Sequence, residues 1–125
     1  MKYTLTLLSI SLAILCFTFV EKPHSGPSIK ISSPLANSIY KKGDTIKIKA
    51  LVTAEYGIHN LALTVSPEGF PPMYTDNLHS HASSLNYEKS IVQTLKIKTK
   101  LKIKLVMKDD AGNLSAVDSV IVSTN

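Results

Sequence analysis

Two imidazoles separated by a single residue, His79 and His81, are the most chemically suggestive pair in this 125-residue chain. In extended backbone, residues two apart point to the same side, so both rings would reach one borderline-soft ion such as Zn²⁺, Cu²⁺ or Ni²⁺. Useful affinity requires a third ligand within about 2.0 to 2.2 Å of that ion. Asp76 is near in sequence, His59 and Glu88 lie on flanking segments, and His24 is a more distant choice. The plainer and preferred reading of the same two histidines is a solvent-facing polar loop, and no His-Glu-x-x-His or cysteine-based pattern adds to them. A bound metal here would serve structure or sequestration, because no general base accompanies an open coordination position.

Other sets of residues carry weaker chemistry. Lys96, Lys98, Lys100, Lys102 and Lys104 alternate with Ile97, Thr99, Leu101 and Ile103, which lines positive charge along one strand face. Such a stripe suits an anionic glycan, lipopolysaccharide or membrane headgroups, although the preferred reading is that it keeps an exposed face soluble or an edge unpaired. Asp109, Asp110 and Asn113 surround Gly112 as a hairpin turn does, since Asp and Asn bond their own backbone; calcium ligation is the lesser reading. Phe70 and Tyr74, beside a proline-rich loop, are candidates for an exposed aromatic binding surface. No Gly-x-Ser-x-Gly elbow and no phosphate-cradling glycine loop occurs, and the expectation is a protein that is not an enzyme and needs no organic cofactor.

Composition narrows the partners. Net charge is +5, and every one of the fourteen basic residues is lysine. Sequence-specific nucleic-acid readers rely on the bidentate fork of arginine, so nucleic acid is not expected as a partner. With 44% apolar and 18% charged residues the chain can bury a core. The single cysteine, Cys16, lies in an apolar run from Leu5 to Val20 that follows Lys2. Residues 1–20 therefore read as an export signal, with Cys16 a candidate lipidation site although Leu15 before it is larger than a lipobox favours. Residues 21–28 read as a linker, and 29–125 as one domain without a disulfide. The expected location is exported: outer membrane or periplasm if lipidated, otherwise secreted or periplasmic, with membrane attachment only through lipid or an uncleaved N-terminus.

The elements that must position these residues are strands. From Ile29 onward, short runs alternate with period two between Gly, Pro, Asn and Asp, and no window carries a helical stripe. Strands are predicted at Ile29–Ser32, Thr45–Ala54, Ile58–Ser66, Leu85–Thr94, Thr99–Lys108 and Ala116–Ser123, with an edge strand or excursion somewhere in Met73–Ser84. Leu35–Asp44 reads as turns. Pro67, Gly69, Pro71 and Pro72 exclude a central strand. About seven strands in one small domain match an all-β, immunoglobulin-like antiparallel sandwich. Lys47 and Lys49 are then expected on the sheet opposite the longer lysine stripe.

The frame Ile-Ser-Ser-Pro at Ile31–Pro34, Lys-Lys-Gly-Asp at Lys41–Asp44 and Asp-Ala-Gly-Asn at Asp110–Asn113 resembles bacterial immunoglobulin-like modules of envelope proteins. Within that class, Leu-His-Ser-His at Leu78–His81 is similar to a family of uncharacterised lipoproteins of Gram-negative bacteria, a domain of unknown function, which brings no biochemical role with it. Three readings follow: an envelope module that binds a protein or glycan partner, a metal-binding envelope protein centred on His79 and His81, and a structural spacer.

Overall fold

The computed structural model describes residues 26–112 and 114–125. The expected signal, most of the linker with His24, Cys16 and Asn113 lie outside the described residues. The described chain is all β. Its strands are β1 (Ser28–Ser33), β2 (Ile39–Tyr40), β3 (Thr45–Thr53), β4 (Ile58–Pro67), β5 (Tyr74–His79), β6 (Ser84–Val92), β7 (Lys100–Asp109) and β8 (Ser115–Thr124). They form a three-stranded sheet, β1-β3-β6, and a five-stranded sheet, β2-β8-β7-β4-β5. All pairings are antiparallel except β2 with β8. This is the immunoglobulin-like sandwich that the alternation predicts.

Alternation builds the core directly. On β3, Ile46, Ile48, Ala50 and Val52 are buried, whereas Lys47, Lys49 and Leu51 face out. On β7, Leu101, Ile103, Leu105 and Met107 are fully buried, and the intervening Lys100, Lys102 and Lys104 are exposed. Ile58, Leu61, Leu63 and Val65 of β4, Tyr87 and Ile91 of β6, and Val122 of β8 complete the cluster between the sheets. Strands with one apolar face have only one way to remove it from water, which is to lay it on another such face. This core lies wholly within residues 46–122 and needs no disulfide.

Two departures from the sequence reading have simple causes. The segment expected to be all turn contains β2, which exists because β8 offers it an edge. Ser123 donates its amide to the Ser38 carbonyl at 2.8 Å, and Asn37, at φ 65, donates to Ile121 at 2.9 Å. The lysine stripe is shorter than predicted, because β7 begins only at Lys100 and leaves Lys96 and Lys98 outside it. Residues 93–99 must carry the chain from the three-stranded to the five-stranded sheet, so they spend their backbone on crossing. The buried Thr124 ties that crossing down, its hydroxyl donating to Ile97 and accepting from the Thr99 amide. Lys47 and Lys49 belong to the opposite sheet, as expected.

Candidate metal centre

Three loops meet at one end of the sandwich: the β3–β4 turn, the β5–β6 connection and the β7–β8 turn. Their junction is held by backbone. Ala54 and Ile58 donate amides to Ser83 and Ala82, both at 2.9 Å, and Asp110 donates its amide to Gly57 at 2.9 Å. Gly57 adopts φ +93, and a Cβ there would stand 2.5 Å from Asp110 Oδ2 and 2.9 Å from the His81 carbonyl. Only glycine allows these segments to approach so closely.

Into this junction the fold delivers His59, His79, His81 and Asp110. His79 ends β5 and faces outward beside Asn60, its partner on β4. His59 shares the parity of the buried Leu61 and would point into the core on an unbroken strand. Between Ile58 and Asn60, however, β4 advances two residues while β7 advances one, from Asp109 to Lys108. His59 is the extra residue of this bulge, and the bulge turns it out to the surface.

Asp110 is the hub. Its Oδ1 lies 3.2 Å from His59 Nδ1, and its Oδ1 and Oδ2 lie 3.1 and 3.0 Å from His81 Nδ1. A carboxylate accepts, so each Nδ1–H donates and each Nε2 of the neutral ring keeps its lone pair. The donation from His81, reinforced by that from His59, holds the Asp110 carboxyl below the usual carboxylate range. His81 Nε2 then accepts a hydrogen bond from His79 Nε2–H at 3.1 Å, the proton that an ion entering between the two rings would displace. The His79 ring stands edge-on between the other two, with centroids 4.8 Å from His59 and 4.7 Å from His81.

Two imidazole nitrogens on one tetrahedral ion, with bonds of about 2.0 to 2.1 Å, are separated by roughly 3.3 Å. The His79 and His81 nitrogens thus stand nearly at ligand spacing. A carboxylate that orients ligating imidazoles from behind is the usual second layer of a metal site. Among the described residues no three His, Cys, Asp or Glu side chains form a ready-made ligand set. That agrees with the geometry, in which Asp110 is committed to ring N–H groups and only two donors face one another. His59, hinged on Asp110 and more than half exposed, is the side chain placed to swing in as a third.

The other candidates lie elsewhere. Asp76 is three residues before His79, hence on the opposite face of β5, where it accepts from the Tyr87 hydroxyl at 2.9 Å and pairs with Lys89 at 3.3 Å. Those two groups, the Tyr87 hydroxyl first, hold its carboxyl below the usual range. Glu88 is on the other sheet, 3.9 Å from Lys49. Phe70 is exposed in the loop after β4, at the far end of that strand, while Tyr74 turns inward against the core beneath Lys89; the two form no common patch. Asp109 ends β7 and is buried, with Oδ1 accepting from the Leu114 amide at 3.3 Å and Oδ2 unpartnered among the described residues. Sequence reasoning weighed Asp110 as a turn residue or calcium ligand and not as the partner of histidines 29 and 51 residues away, and it missed Gly57 as its seat, because turn-like contexts carry no sign of such distant contacts. Compared with known proteins, the chain matches no family model and no curated protein.

Proposed function

We propose that this domain is a non-enzymatic, exported module that captures a divalent first-row transition ion at its loop end. His79 and His81 supply Nε2 donors, His59 joins as the third, and Asp110 orients His59 and His81. The observation that carries the reading is the facing pair of Nε2 atoms, 3.1 Å apart, with the carboxylate behind one of them. Imidazole suits Zn²⁺, Cu²⁺ and Ni²⁺, and solvent exposure of His59 and His81 leaves an open path to the site. The convergence of three histidines favours metal over the spacer reading, which expects no such cluster, and the partner-binding reading lacks the exposed aromatic surface at Phe70 and Tyr74 that it expects.

Calorimetric titration of residues 26–125 with each ion, beside His79→Ala/His81→Ala, tests this. A stoichiometric site of micromolar or tighter affinity that the double variant loses is expected. Heats equal to buffer dilution for all three ions would sink the proposal.

A further inference from the structure

The outer face of the five-stranded sheet, which carries His79 at one corner with Asn60 between it and Lys108, presents a second chemistry along its middle strand. Lys100, Lys102, Lys104 and Lys108 project from it along β7, which is the middle strand, flanked by β8 and β4. Edge protection therefore does not account for them. Residues two apart on a strand are separated by about 6.7 Å along the backbone, so three of these lysines are rooted in one column, with Val106 interrupting before the fourth. Among the described residues none of the four is in an ion pair, whereas Lys49 pairs with Glu88, Lys89 with Asp76, and His59 and His81 with Asp110. Asp118, the acid on neighbouring β8, turns the other way and accepts from the Ile31 amide at 2.8 Å.

Beside the lysines the same face exposes aliphatic side chains. Ile121 sits opposite Lys102 and Val117 opposite Val106 on β8, and Ile39 of β2 lies beyond them next to Ser123. Their exposures are 46%, 59% and 66%, high for branched aliphatics. An open trough of about 210 Å³ runs between Ile121, Pro67 and the stems of Lys100 and Lys102, with Glu68 the one acid at its rim. A soluble anionic glycan needs the charge and has no use for the aliphatics. Nucleic acid would call for aromatic platforms or arginine, and neither is on this face. A basic column beside exposed aliphatics complements a surface that is anionic outside and apolar just beneath.

We infer that this face docks on an anionic lipid bilayer, the lysines engaging headgroup phosphates and Ile39, Val117 and Ile121 entering the interface. Each lysine near such a surface contributes roughly a fivefold gain in partitioning at moderate salt. The test is co-sedimentation of residues 26–125, which contain the whole core, with phosphatidylcholine vesicles and with vesicles of phosphatidylcholine and phosphatidylglycerol, in EDTA. Expected are binding to the anionic vesicles alone, its loss at high salt, about a 25-fold weakening in Lys102→Gln/Lys104→Gln, and weakening in Val117→Ser/Ile121→Ser. His79→Ala/His81→Ala binds as the parent does, which separates this face from the metal reading. Equal binding to neutral vesicles, indifference to the lysine substitutions, or capture by soluble polygalacturonate with Val117→Ser/Ile121→Ser silent would each overturn the inference, the last by assigning the face to a glycan.

Discussion

Two glycines with nearly the same backbone allow the packing around the His59, His79, His81 and Asp110 cluster to be measured apart from backbone strain. Gly57 has φ +93 and Gly43 has φ +92, yet a Cβ at Gly43 meets nothing within 4 Å, whereas one at Gly57 meets Asp110 Oδ2 at 2.5 Å and the His81 carbonyl at 2.9 Å. Gly43→Ala therefore reports the left-handed backbone cost alone, about 1 to 2 kcal/mol. Gly57→Ala carries that cost and must also displace the His81 backbone, an overpacking cost of about 2 kcal/mol more. For a domain of this size that difference lowers the melting temperature by roughly 8 to 16 °C beyond the Gly43 variant. The collision also forces Asp110 away from His81 Nδ1, so metal affinity falls about 10- to 100-fold in Gly57→Ala and stays at the parent value in Gly43→Ala. Thermal unfolding by circular dichroism, with and without Zn²⁺, reads both effects. Equal melting losses in the two variants, or full metal affinity in Gly57→Ala, would refute the argument that Gly57 seats the site.

Further expectations concern separate parts of the molecule. Asp110→Asn, which weakens the orientation of His59 and His81, lowers Zn²⁺ affinity about 10- to 100-fold with the sheet structure unchanged; an unaltered isotherm removes Asp110 from the site. The Asp76 carboxyl is held below its usual range by the Tyr87 hydroxyl and Lys89, so it stabilises the fold fully above about pH 4, its unfolded value, and loses that contribution as pH falls through the lower folded value. Asp76→Asn should flatten the acid limb of a stability profile measured by denaturant titration, and an unchanged limb contradicts the assignment. Leu105→Ala, at a fully buried position of the central strand, should cost about 2 to 5 kcal/mol in the same titration; a loss under 1 kcal/mol would mean that the core closes over the gap.

The strands were legible because period-two alternation is a local property. Ile46 to Val52 and Leu101 to Met107 declare their buried face without reference to anything distant, and the prolines and glycines after β4 mark its end. His79 and His81 were visible for the same reason: their spacing is local. Asp76 was misplaced by adjacency in sequence, since an offset of three on a strand reverses the face. Lys96 and Lys98 continue the alternation of β7 in sequence only, because the chain there is crossing between sheets.

What sequence by itself determined is therefore the long strands, their inward faces and one pair of imidazoles. Tertiary structure alone decided the site and the basic face. A bulge that depends on the register of β4 against β7 turned His59 outward, a turn 29 residues away brought Asp110 behind His81, and the order β2-β8-β7-β4-β5 placed four lysines mid-sheet beside exposed aliphatics. Register and sheet order arise when the apolar faces of distant segments are matched against one another, and no single stretch of sequence contains its own partner.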